Sequence, residues 1–287
     1  MTTFNATADR EVSLAQGTIR YRDLGAGEPV VLVHGLLTNG ELWREVAPRL
    51  AADFRVLVPD WPLGSQQLPL APGADLSPPS LARLIADFIA KLDLERVTLV
   101  GNDTGGALCQ LVAVNHPERI GRLVLTPCDA FEHFPPPAFA PLVGAAKVPG
   151  SVFAILQSMR APAARRLPMA YGWLMKRYDS ELTASWIAPA LASKELRAQI
   201  AAILRGFSPR HTLGAAERFG EFDKPVLIAW APEDHFFKLA DGERLQAAFP
   251  HARLERIEDS YTFVMLDQPE RTVQLIAEFA REPVAAL

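Results

Sequence analysis

The chain has 287 residues, 49% of them hydrophobic and 22% charged, with a formal net charge of −4, which suits one large α/β domain with an inserted lobe and excludes a disordered chain. No basic cluster invites phosphate, so neither nucleic acid nor a membrane surface is an expected partner. The two cysteines, Cys109 and Cys128, make neither a disulfide framework nor a metal quartet. The amino terminus lacks a basic region followed by an apolar core, and no long apolar run occurs elsewhere, so a cytoplasmic protein with no cofactor and no metal is expected.

Residues 11–24 alternate polar and apolar positions around Gly17, the pattern of a hairpin at a sheet edge. Pro29–Val33 is a continuous apolar run of the kind buried on both faces of a parallel sheet, and it ends at His34-Gly35. A helix is expected over Leu42, Val46 and Leu50, then a strand over Arg55–Pro59 that ends at Asp60. Residues 80–92 follow as an amphipathic helix with Leu81, Leu84, Ile85 and Phe88 on one stripe. In residues 97–106 a β-rich run ends in Gly101, and Gly105 and Gly106 open the next helix. This is a strand turning sharply into a helix with the Asp103 side chain held out at the apex. Free N–H groups at the helix start favour an ionised carboxylate, so Asp103 is expected as an anion at neutral pH; the alternative is that it merely caps the helix.

That helix stops at Asn115-His116-Pro117, and residues 122–126 form another strand. Strand and helix alternation implies parallel strands with right-handed crossovers. The rhythm breaks at Phe131. Up to about residue 214 no buried strand is discernible, and Pro135-Pro136-Pro137 opens a proline-punctuated helical section that carries Trp173, Trp186, Met159, Met169 and Met175. The sheet resumes over 225–230 and 253–257, and a last helix carries Val273, Leu275, Ile276 and Phe279. The predicted organisation is a core of residues 1–130 and 215–287 with a helical cap, 131–214, inserted into it.

Open α/β sheets bind ligands at the carboxyl ends of their strands. Here those ends carry His34-Gly35, Asp60, Asp103, Cys128-Asp129, Asp234 and Thr262. A cap bearing Met and Trp above them suits a small apolar molecule, unless those residues form only the core of the cap itself.

Strand-His-Gly, strand-Gly-x-Asp-x-Gly-Gly, a helical insertion, and an acid after Trp230-Ala231-Pro232-Glu233 together resemble the α/β-hydrolase superfamily over residues 20–282. The resemblance implies the α/β-hydrolase fold, a mostly parallel central sheet flanked by helices. With Asp instead of Ser at the elbow, and with the stretch from His34 to Arg44, the chain is similar to the haloalkane dehalogenase and epoxide hydrolase branch. The resemblance makes Asp103 a nucleophile that forms an alkyl-enzyme ester, Asp234 the acid that orients a base, and the backbone N–H groups of Leu36 and Thr104 an oxyanion hole. At the position of the family's histidine stands Thr262, whose hydroxyl cannot take up a proton near pH 7. Among the histidines, His133 is the candidate substitute; His34 belongs to the oxyanion loop, His235 is adjacent to Asp234, and His116, His211 and His251 are read as bystanders. A halide-binding indole would have to come from Trp173 or Trp186. Epoxide activation would draw on Tyr171 and Tyr178, seven apart and on one face of a helix. With His34, Asn102, Asp129 and His133 these complete the expected pocket. Three functions stand: a hydrolase acting through Asp103 on a small apolar substrate; a lyase, isomerase or cyclase using Asp103 as general acid or base; and a catalytically silent ligand binder.

Overall fold

The alternating stretch forms an antiparallel hairpin, β1 (Asp9–Leu14) against β2 (Gly17–Leu24), in a computed structural model that describes residues 9–282. The uninterrupted apolar runs become β3 (Pro29–Val33), β4 (Arg55–Pro59), β5 (Val97–Asp103), β6 (Ile120–Cys128) and β7 (Val226–Trp230). With β8 (Ala252–Arg256) they complete one sheet of order β1-β2-β4-β3-β5-β6-β7-β8. Pairing is parallel from β4 to β8 and antiparallel in the β1 and β2 hairpin and where β2 meets β4. A parallel sheet covered on both faces has no solvent side, which is why Val30 to Val33 and every residue of β6 are buried.

The helix Thr104–Asn115 follows β5 without a loop and is buried from Thr104 to Val114. It packs on β5, β6 and the helix Pro78–Lys91. The helix expected over residues 42–50 is instead a 3-10 turn, Gly40–Trp43, and a single helical turn, Ala47–Leu50. The Asn39 side chain caps the first, and Pro48 near the start of the second can donate no N–H to an earlier turn.

Every element between β6 and β7 is helical. Several of the prolines that punctuate this section sit where helices tolerate them, in the first turns of Ala140–Ala145, Pro162–Arg165 and Pro209–Ala216, whereas Pro189 lies inside Ser180–Ala192 near its end. Buried Arg165 ties the section together by donating to the carbonyls of Met159, Arg160 and Ser180. Asp267, which follows β8, accepts from the backbone N–H groups of Lys176, Arg177 and Tyr261 and so fastens this section to the loop carrying Thr262. Among the described residues no helix is long and apolar enough to cross a membrane.

The junction of β5 and its helix admits no side chain at Gly105: a Cβ there would lie 2.4 Å from the His34 carbonyl oxygen and 2.6 Å from that of Val33. Both are backbone atoms and cannot turn aside. Gly105→Ala is expected to lower stability by about 1–3 kcal/mol, the usual cost of overpacking, seen as a lower urea midpoint with unchanged slope.

Candidate functional site

Asp103 has φ +54° and ψ −134°, a backbone conformation that non-glycine residues seldom adopt and that is held only when the surroundings enforce it. The enforcement is steric. A Cβ on Gly35 would lie 2.1 Å from Asp103 Oδ2, so the β3 loop passes the carboxyl with bare backbone. The side chain makes no bond to the N–H groups two and three residues on that a capping carboxylate takes, which sets the ordinary capping alternative aside. Instead the backbone N–H groups of Thr104 and Leu36 donate to its carboxyl. Burial outweighs these two bonds, Asp234 adds repulsion, and the carboxyl is pushed up to about 7. The expectation of a full anion at neutral pH is therefore corrected. Acid and carboxylate forms coexist, because desolvation exceeds the help of the helix start.

The loop that supplies Leu36 is held by His34. Its Nδ1–H donates to the Gly35 carbonyl at 2.9 Å and its Nε2 accepts from Trp61 N–H at 2.8 Å, an arrangement that needs the neutral ring. Burial lowers its pKa to about 4. His34 thus orients the loop and does not face a ligand. Leu37, at φ +55°, donates its N–H to the Leu63 carbonyl and accepts from the Tyr171 hydroxyl at 2.7 Å.

Asp234 accepts at Oδ1 from the N–H groups of Phe236 (2.7 Å) and Phe237 (2.8 Å), and at Oδ2 from the Thr262 hydroxyl (2.7 Å). Burial still raises it to about 6 against the pull of those donors. Asn102 is a brace: its Nδ2 donates to Thr126 Oγ1, the Pro127 carbonyl and the Thr262 carbonyl, joining the tips of β5 and β6 to the Thr262 loop. Asp129 is 1% exposed, and its Oδ1 has no hydrogen-bond partner. Burial first, and the Asp103 carboxyl second, push it well above the carboxylate range, opposed by the Thr104 side chain. The backbone of Asp129 is fixed by Gln110 Nε2, which donates to its carbonyl at 2.8 Å.

Above Asp103 lies a cavity of about 510 Å³ whose polar lining is Asp103, Thr104, Asp129 and Tyr171. The rest is apolar, with Leu36 and Leu37 below and Phe139, Leu142, Met159 and Leu174 from the helical section above. Neither Arg nor Lys lines it, and nor does any of the six histidines. Among the described residues no group of His, Cys, Asp or Glu is disposed to hold a metal ion.

The structure therefore gathers Asp103, Thr104, Leu36, Asp129 and Tyr171 at the cavity, with Asp234 and Thr262 paired outside its lining. The other expected pocket residues lie elsewhere. His34 and Asn102 are structural, as described. His133 turns to Asp241, with Nδ1 2.9 Å from Oδ2, and does not enter the cavity. Trp173 is 40% exposed and stacks on His235. Trp186 is fully buried behind Tyr171 and against Phe263. Tyr178 bonds Thr183 and stays outside the lining, because residues 171 and 178 do not share a helix: Pro168–Gly172 is a single wide turn kinked at Ala170, and the next helix starts at Ser180. Gln110 was not singled out from the sequence, although an amide in the middle of a buried, largely apolar helix marks a buried polar contact.

A model of the alpha/beta hydrolase family matches residues 30–275. The chain is 27% identical over 262 residues to the 2-hydroxy-6-oxononadienedioate/2-hydroxy-6-oxononatrienedioate hydrolase of Cupriavidus pinatubonensis, covering 87% of each. It is 40% identical over 129 residues to the 2-hydroxy-6-oxo-2,4-heptadienoate hydrolase of Pseudomonas putida, covering 44% of this chain and 46% of the other. The epoxide hydrolase CorEH superposes with a TM-score of 0.79 at 18% identity, over 95% of this chain and 98% of that one, a likeness of fold.

A carboxyl whose folded-state pKa is raised favours the folded state fully below its unfolded value near 4, and that contribution is lost as the pH rises through about 7. Asp103→Asn removes the loss. The gain in Tm of this variant over the native chain should be larger at pH 8 than at pH 5 by at least about 2 °C, measured by thermal melts; an equal or smaller gain at pH 8 would show that Asp103 ionises at its ordinary pH.

Proposed function

The chain belongs to the alpha/beta hydrolase family, and from that premise we propose that it is an enzyme acting through the Asp103 carboxylate on a small, neutral, largely apolar organic molecule, by alkyl transfer of the dehalogenase and epoxide hydrolase kind. The observation that carries the reading is the placement of Asp103 on the floor of an apolar cavity, with two backbone N–H groups on its carboxyl. In the proposed reaction one carboxylate oxygen attacks a saturated carbon, the bond to the leaving halide or epoxide oxygen breaks, and an ester forms. The ester carbonyl oxygen faces the N–H groups of Leu36 and Thr104, ready to stabilise the charge that develops when water attacks. In this reading residues 131–214 serve as a cap over a core of 1–130 and 215–287.

The dienedioate named for the Cupriavidus relative is a poor fit to this cavity, because it carries two carboxylates and the lining offers two acids and no cation. Neutral substrates avoid that repulsion. A second reading rests on Thr262: with a hydroxyl donating to Asp234 where the resembling enzymes carry imidazole, Asp103 would serve as general acid or base for a lyase, isomerase or cyclase.

The test is intact mass after incubation with a panel of primary alkyl halides, followed by peptide mapping. The expected result is one alkyl group per chain, on Asp103, and none on Asp103→Asn. Absence of any adduct or product across halides and epoxides alike would overturn alkyl transfer and leave the second reading.

A further inference from the structure

We infer that Asp129 is a second catalytic residue, which protonates the oxygen leaving group of an epoxide and then, as the carboxylate so formed, activates the water that releases the product from Asp103. The inference deepens the alkyl-transfer reading and rests on it. Three observations carry it. Asp129 lines the same cavity as Asp103 and is 1% exposed, so no bulk water competes for its proton. Its Oδ1 is buried without a partner, although buried polar atoms are nearly always paired. Its backbone is pinned by Gln110 and its side chain is steadied by Thr104, the residue that also supplies an oxyanion N–H. Asp103 is the charged group that acts on it, Cys128 is its chain neighbour, and the Tyr171 hydroxyl shares the cavity lining with it. No cation lines the cavity. Two enclosed carboxyls without a cation hold one proton between them far more readily than they hold two charges, and here burial is greater at Asp129. The resting pair is a carboxylate at Asp103 and an acid at Asp129.

That division of labour balances for an epoxide. Asp103 attacks carbon, the C–O electron pair moves to oxygen, and the oxygen takes the Asp129 proton, leaving a hydroxyalkyl ester and an Asp129 carboxylate. Water then loses a proton to Asp129 as its oxygen attacks the Asp103 carbonyl carbon. The tetrahedral oxyanion, held by Leu36 and Thr104 N–H, collapses and expels the alkoxide, which recovers the proton from Asp129. That leaves the second proton of the water on Asp103 as an acid and Asp129 as a carboxylate; transfer of this proton from Asp103 to Asp129 restores the starting pair, and epoxide plus water has given diol. A halide departs as a stable anion and takes no proton. Asp129 then remains an acid, no base is generated, and the ester on Asp103 is stranded. The missing imidazole is thus replaced by a base that only a proton-requiring leaving group can create, which selects epoxides over halides.

The experiment compares an apolar terminal epoxide with the primary bromide of the same carbon skeleton, on the native chain, Asp129→Asn and Asp103→Asn. The native chain should turn the epoxide into diol over many cycles and stop after one bromide per chain, with the adduct on Asp103. Asp129→Asn should lose at least about 100-fold in epoxide turnover, the lower end of what general acid and base catalysis supplies, yet still take the bromide on Asp103 as an ester. That alkylation also reports that the variant is folded. Epoxide turnover by Asp129→Asn within about threefold of native overturns the role of Asp129, and so does a bromide ester released by the native chain as fast as the epoxide ester, a comparison that needs no variant. Failure of the native chain to take the bromide on Asp103 at all brings down the alkyl-transfer reading and this inference with it.

Discussion

Where the loop after β3 crosses the apex of β5, backbone passes backbone and carboxyl with no side chain between, and the rest of the site depends on that closeness. Gly35 and Gly105 are the two residues that allow it. Their lack of a Cβ lets the Leu36 N–H and the Thr104 N–H converge on one carboxyl, and the convergence in turn holds Asp103 at a positive φ that it would otherwise leave. His34 extends the same constraint downward. It is a neutral ring spanning Gly35 and Trp61, so the loop is fixed by the end of β4 as well as by β3.

The second constraint is electrostatic. Asp103, Asp129 and Asp234 are all displaced upward, and in each the largest cause is removal from water. They differ in compensation. Asp234 is met by two backbone N–H groups and a hydroxyl, Asp103 by two N–H groups, and Asp129 by a single side chain. The gradient of donors sets the order in which the three hold protons, and it is written in the backbone, since most of the donors are main-chain groups that no substitution short of proline removes.

Much of this was legible in the sequence. Uninterrupted runs such as Pro29–Val33 announce strands with two buried faces, and the glycines around Asp103 announce a turn too tight for side chains. The charge state of Asp103 was not legible, because the favourable helix start is local and visible whereas the desolvation that exceeds it comes from residues far apart in the chain. The helical section was legible as helical but not in its facing. His133 turned to Asp241 and Trp173 to His235 for reasons of tertiary packing, and Tyr171 parted from Tyr178 because the helical turn ends at Gly172 and the next helix starts only at Ser180, which breaks the period on which their pairing relied.

Tyr171 has one hydroxyl proton, and the Leu37 carbonyl holds it. Leu37 neighbours Leu36, whose N–H serves Asp103, so roof and floor of the cavity meet in a single latch. Loss of the Tyr171 bond would release the Leu37 carbonyl, one residue from that donor, and leave Leu37 held by Leu63 alone, while a ligand that bonds the tyrosine as acceptor must first break the latch. Admission and readiness are accordingly opposed: the chamber is best armed when it is shut.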